Sequence, residues 1–217
     1  AESAGNSLGL GARSADYWMN FTPTTLAVGE TIYFSYIAKY NVIPGAAVTG
    51  VGGYVRLGNS TQAVSTATGI NTSRGSAGTP AASNAGFGLS RNQKTFGDAA
   101  AVSTPGTYDM LATYFIVASY TRGASATTGL FQMWVNPDSA TFGTAAPPAA
   151  TLSMASTVDA AKFDRLLISS SGSGSFPSDW QLDEVRIGTD WASVAPGEIS
   201  TPVNDANGDG IPDSWST

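Results

Sequence analysis

Residues 31–40, TIYFSYIAKY, put Ile32, Phe34, Tyr36 and Ala38 on one side of an extended chain and Thr31, Tyr33, Ser35 and Ile37 on the other, because successive strand side chains alternate faces. Apolar residues on both faces mark a central strand covered on two sides. MLATYFIVASY repeats the pattern, with Leu111, Phe115 and Val117 opposing Met110, Tyr114 and Ile116, and the flanking GTYD and TRGAS supply turn residues. LFQMWVNP is a third strand, closed by Pro137, and YWMNF, Tyr54–Leu57 within GGYVRLG, KFDRLLIS and WQLDEVRIG complete the set. No window of a dozen residues holds a 3.6-residue period. Seven or more strands without intervening helices predict an all-β fold of two packed antiparallel sheets.

WQLDEVRIG breaks its own alternation. Trp180 and Leu182 share one parity, Val185 and Ile187 the other, so a bulge near Asp183 and Glu184 is needed to keep all four inside. The following GTDWASV predicts one short helical turn with Thr189 as its N-cap, returning Trp191 to the edge of the sandwich. Residues 59–106 are poor in large apolar side chains, with Ile70, Phe87, Leu89 and Phe96 as anchors, and read as long loops or weak edge strands. SSSGSGSFPS, 169–178, reads as a flexible hairpin loop. The resulting division is an N-terminal arm over 1–16, a sandwich over 17–196 and a tail over 197–217.

Composition narrows the chemistry. Only 12% of the 217 residues are charged, about half the usual share, so 26 Ser and 24 Thr carry much of the surface polarity. The absence of His and Cys removes Ser-His-Asp and Cys-His catalysis, thiolate metal sites and disulfides. A net charge of −6 and a pI near 4.4 argue against nucleic acid, which needs clustered Lys and Arg. No apolar run approaches the roughly 20 residues of a membrane span. The Ala-Glu start is what remains after cleavage at a small-residue site, which predicts a secreted, extracellular or cell-surface protein; an arbitrary chain boundary is the alternative.

The acidity sits at the C-terminal end, where Asp205, Asn207, Asp209 and Asp213 fall at positions 1, 3, 5 and 9 of a loop with Gly210 at position 6. Alternate oxygens at this spacing converge on one hard cation, the glycine permits the sharp turn, and the carbonyl of Ile211 at position 7 adds a ligand. The expected cofactor is Ca2+. Ser216 stands where an EF-hand carries its bidentate Glu, so a full EF-hand is excluded. An acidic tail without an ion is the alternative.

This tail resembles the calcium-binding repeats of the thrombospondin type 3 kind over about ten residues. Through TIYFSYIAKY, LFQMWVNP and above all FPSDWQLDEVRIGTDWASVAP, residues 17–196 resemble the laminin-G-like, concanavalin-A-like jelly-roll domains of exported bacterial proteins. The resemblance implies a two-sheet jelly-roll sandwich used for sugar binding, adhesion or structural packing.

Three functions compete on these residues. Catalysis on this fold needs two carboxylates flanking one bond; Asp183 and Glu184 are adjacent and in regular geometry point to opposite faces, and the Glu-x-Asp-x-x-Glu strand of jelly-roll glucanases has no counterpart. The expectation is no enzyme. Sugar stacking would use exposed aromatics among Tyr17, Trp18, Tyr40, Tyr54, Tyr120 and Trp180, most of which the strand pattern places in the core. A non-enzymatic structural or adhesive protein of a bacterial surface, assembling as a homo-oligomer or filament, fits the low charge, the edge strands without Lys and the small-residue arm AESAGNSLGLGARSA. That arm either adds to a neighbour's sheet or frays. The expectation is the structural role, with binding of an extracellular glycan as the alternative. Arg56, Arg165 and Arg186 are expected to cap sheet edges or pair with Asp164, Asp183 or Glu184.

Overall fold

The computed structural model describes residues 8–10, 15–40, 50–59, 70–76, 84–91, 101–103, 108–109, 111–125, 127–155, 161–170 and 180–197. In chain order the strands are β1 (Leu8–Leu10), β2 (Ala15–Thr25), β3 (Thr31–Tyr40), β4 (Gly50–Gly58), β5 (Ile70–Ser76), β6 (Asn84–Arg91), β7 (Ala101–Ser103), β8 (Tyr108–Asp109), β9 (Tyr114–Thr121), β10 (Leu130–Val135), β11 (Leu152–Ala155), β12 (Lys162–Ser170) and β13 (Trp180–Gly188). A 3-10 turn covers Ser139–Thr141 and a single helical turn, α1, covers Trp191–Val194.

The strands form two antiparallel sheets in the order β1-β13-β3-β9-β10-β11 and β2-β12-β4-β5-β6-β7, with β8 pairing β6. The chain crosses repeatedly from one sheet to the other, giving a jelly-roll β-sandwich of the concanavalin A-like class. The alternation in TIYFSYIAKY sets the layering. Ile32, Phe34, Tyr36 and Ala38 join Ile116, Ala118, Tyr120, Phe131 and Met133 on the inner face of the first sheet, packed against Val55, Leu57, Phe87, Leu89, Phe163, Leu166 and Ile168 of the second. Tyr120 spans the layers, its ring 5.2 Å from Phe131 and 5.6 Å from Phe163.

The outer face of the first sheet is sealed as well. Val117 and Trp134 meet Trp191, Val194 and Ala195 there, with Tyr33, Phe115, Phe142 and Ala150 around them. Two indole donors lock this cover: Trp134 Nε1 donates to the Pro148 carbonyl at 2.9 Å and Trp191 Nε1 to the Thr141 carbonyl at 2.9 Å. Ser35 Oγ, buried in β3, donates to the Val194 carbonyl at 2.7 Å, tying α1 to the strand below it.

Several local expectations change. Asp190, not Thr189, caps α1, its Oδ1 accepting from Ser193 N at 2.9 Å; both residue types cap well, and pairing through Gly188 leaves Asp190 one residue ahead of the turn. Trp191 lies on the outer face of the sheet rather than at its edge. Within 59–106, expected as long loops or weak edge strands, the described residues form β5, β6 and the three-residue edge strand β7, and most of the rest of the stretch lies outside them. β5 and β6 lie inside the second sheet, and Phe87 and Leu89 are fully buried because the facing sheet supplies the bulk that β5 lacks. Strands β12 and β13 belong to different sheets and are not a hairpin pair; residues 171–179, which hold most of the expected hairpin loop, lie outside the described residues. Leu8–Leu10 of the arm pairs with Leu182–Trp180 of its own chain as an edge of the first sheet.

Close packing at Gly188 yields a test. A Cβ there would collide with Ser193 Oγ and reach Val194 Cγ1 at 3.5 Å, so Gly188→Ala has to turn the Ser193 hydroxyl off the Asp190 carbonyl it donates to and press against α1. We expect a loss of about 1–3 kcal/mol in urea unfolding followed by tryptophan fluorescence; an unchanged midpoint would mean that α1 slides aside freely.

Candidate functional site

Strand β2 is the free edge of the second sheet and carries alternating rows. Met19 pairs with Leu166 and Tyr17 with Ile168, so both share the inward parity of those core residues. At the open side of the sandwich, however, they run past the core and stay 40% and 42% exposed. Trp18, of the opposite parity, pairs with Leu167 and is 38% exposed. Its indole is held by Arg165, whose guanidinium carbon sits 4.6 Å from the ring centroid, a cation–π contact that fixes the ring without burying it. Arg165 Nε donates to Asn20 Oδ1 at 3.1 Å, which anchors the guanidinium in turn. The register shift in β12 between Phe163 and Arg165 brings Arg165 to this position. Lys162 Nζ lies 3.4 Å from Asp164 Oδ2.

Facing β2 is the bulge of β13, where pairing with β3 shifts between Asp183 and Arg186, as the broken alternation predicts. Glu184 adopts φ +53°, the left-handed conformation that a non-glycine residue accepts only at a cost of about 1–2 kcal/mol. Asp183 Oδ1 caps the kink by accepting from Glu184 N at 2.8 Å, and the Glu184 carboxylate pairs with Arg186. Tyr17, Trp18, Met19, Ile168, Leu182, Asp183, Glu184 and Val185 together line one groove of about 410 Å3.

The bulge also defeats the argument that separated the two acids. Strict alternation sends Asp183 and Glu184 to opposite faces, but the left-handed residue breaks it, and both border the same groove. One wall offers aromatic and thioether surface, the other two carboxylates. This arrangement can stack a sugar ring and accept its hydroxyl hydrogens, and it sets two carboxyl-bearing residues along one groove, the residue type that acid–base chemistry at a glycosidic bond draws on.

Of the six aromatics considered for stacking, Tyr17 and Trp18 border the groove, Tyr17 from the inward parity and Trp18 from the outward one, and Tyr120 is withdrawn because it is fully buried between the sheets. The side chains of Tyr40, Tyr54 and Trp180 lie outside the described residues. So do Asp205, Asn207, Asp209, Ile211 and Asp213 of the expected calcium loop. Among the described residues no group of three or more Asp or Glu is placed to hold a metal, and no helix is long and apolar enough to cross a membrane. A second cleft, of about 570 Å3, lies between Glu30, Thr31, Tyr33 and Asp190. Burial, followed by the Asp190 carboxylate, raises the Tyr33 phenol above its ordinary value.

No family model and no curated protein sequence matches the chain. Among solved structures it is similar to an alginate lyase in complex with an alginate trisaccharide, at 12% identity and a TM-score of 0.46, over 81% of each chain. An endo-1,3-β-glucanase from Streptomyces sioyaensis shares 9% identity at a TM-score of 0.46, over 79% of this chain and 68% of that one. An endo-β-1,4-glucuronan lyase from Trichoderma reesei shares 13% identity at 0.43, over 90% and 92%. These are enzymes named for polysaccharides, and with them the expectations of no enzyme and of a non-enzymatic structural or adhesive protein are corrected. The physical reason lies in β13: the expectation of no catalysis rested on an alternation that the bulge removes.

Proposed function

We propose that this sandwich recognises a polysaccharide chain in the groove between β2 and β13. The observation that carries the reading is the run Tyr17-Trp18-Met19, three consecutive residues each about 40% exposed on one edge strand, which borders a groove that Asp183 and Glu184 also line. Strand residues of this size normally turn inward, and a large ring held at the surface beside hydrogen-bonding groups suits sugar stacking. The test is retardation of the protein in native gels cast with a panel of polysaccharides. Slowed migration in at least one gel is expected; uniform migration in all of them, by folded protein, would sink the reading.

A second reading rests on Asp183 and Glu184 bordering the same groove, and it adds cleavage to binding. Any polymer that retards the protein is then incubated with it, and new reducing ends or unsaturated products are measured. Asp183→Asn with Glu184→Gln is expected to abolish product release while leaving a measurable fraction of the binding; equal turnover by the variant would remove the acids from the chemistry.

We also propose that Asp205, Asn207, Asp209 and Asp213, with the Ile211 carbonyl, take one Ca2+, in the exported setting where free calcium is abundant. Their spacing supports this. Calorimetric titration is expected to show one site that Asp205→Ala with Asp209→Ala abolishes. Heat that survives in that variant, or none at millimolar calcium, would exclude the loop.

A further inference from the structure

The outward side of β2 carries chemistry that the groove does not use. We infer that Trp18, Arg165 and Asn20 form an anion-reading platform on the outer face of the second sheet, which takes a sugar ring bearing a carboxylate, as in a polyuronate; this rests on the reading of the β2 edge as a glycan site. Trp18 pairs with Leu167 and Asn20 with Arg165, so indole and guanidinium are diagonal neighbours on the face turned away from the core. With the guanidinium carbon 4.6 Å from its ring centroid, Trp18 still stays 38% exposed. Indole surface therefore remains for a sugar ring to lie on.

Arg165 is held in place yet keeps donors to give. Stacking on an indole engages the flat face of a guanidinium, whereas its five N–H donors lie in the plane. Nε donates to Asn20 Oδ1 at 3.1 Å, and Nη1 and Nη2 have no hydrogen-bond or carboxylate partner among the described residues. Two contacts, one to the indole and one to the amide, thus orient a fork of the shape that binds a carboxylate bidentately. The adjacent acid does not occupy it: Asp164 is 6% exposed and lies 3.4 Å from Lys162. Asp183 and Glu184 border the groove that Tyr17 and Met19 line from the inward side of β2. A neutral sugar on Trp18 gains stacking alone, and a uronate gains stacking with a charge-assisted pair.

The test uses the full chain in native gels containing polygalacturonate, its methyl ester, or a neutral β-1,3-glucan or xylan; acid and ester share one backbone and differ in the carboxylate. At low salt the acid is expected to retard the wild-type protein about tenfold more tightly than the ester. At about 1 M salt, where screening acts within about 3 Å, the gap is expected to narrow. Arg165→Gln is expected to remove the preference for acid over ester, and Arg165→Lys, which keeps the charge without the planar fork, to restore only part of it. Equal retention on acid and ester by the wild type, or a preference that persists in Arg165→Gln, overturns the platform while the groove remains a glycan site. Retention by none of the four polymers overturns the glycan reading as well. Where Arg165→Gln fails to fold, Arg165→Lys decides, since an undiminished preference in it overturns the role of the fork.

Discussion

Trp18→Ala is expected to weaken polysaccharide binding by about 2 kcal/mol, a rise of roughly 30-fold in Kd, while leaving the fold intact. A tryptophan at the centre of a contact is among the residues whose truncation costs most, and here the indole is already ordered before a ligand arrives. Arg165 stands over the ring at 4.6 Å and is itself held by Asn20, so little rotamer entropy remains to be lost on binding. Trp18→Phe keeps a smaller ring and should retain part of the affinity. Arg165→Ala frees the indole and should weaken binding by less than removal of the ring. Because Trp18 is 38% exposed on an edge strand, its loss should shift the urea midpoint only slightly. Unchanged retardation of Trp18→Ala on a polymer that retards the wild type would dismiss this ring as the stacking platform.

Trp191→Ala is expected to act the opposite way and destabilise the protein by about 3–5 kcal/mol. The indole is 1% exposed. It packs at 61° against Trp134 with centroids 5.1 Å apart, and edge-on to Tyr33 at 6.3 Å. Truncation opens a cavity beneath α1, removes both aromatic contacts and takes the donor from the Thr141 carbonyl. The loss falls on the segment that closes over the first sheet, so α1 and the 3-10 turn should loosen together. In a chain of this size it corresponds to a fall in Tm of roughly 10–15 °C, read by calorimetry, while polysaccharide retardation of the folded fraction stays the same. A wild-type Tm in the variant would show that the cover contributes little. The pair Trp18 and Trp191 thus separates binding from folding in one experiment.

How much of this was legible in the sequence depends on the range of the interaction. The central strand was legible because Ile32, Phe34, Tyr36 and Ala38 record burial by two-residue alternation, a local signal. The bulge was legible for the same reason, since Leu182 and Val185 cannot both face the core without an extra residue. Its consequence was missed because the alternation rule was applied to Asp183 and Glu184, across the irregularity that suspends it. β5, with INTSRGS, carries almost no large apolar residue; its place inside the sheet comes from β4 and β6 on either side. The groove itself joins residues 17–19 to 182–185, and no local pattern reports a meeting across so much chain. Tyr17 and Trp18 could be nominated as exposed rings, but Arg165 reaches Trp18 only through a register shift in β12 that its own sequence does not announce.

The cover over the first sheet has a practical consequence. Ser139 and Ala140, exposed on the 3-10 turn, stand on the padded back of the molecule, and the groove opens between β2 and β13. A dye, a biotin or a fused reporter attached at either position therefore leaves the groove unobstructed, and the absence of any native cysteine makes Ser139→Cys a unique handle. Through it the protein can be immobilised in one known orientation.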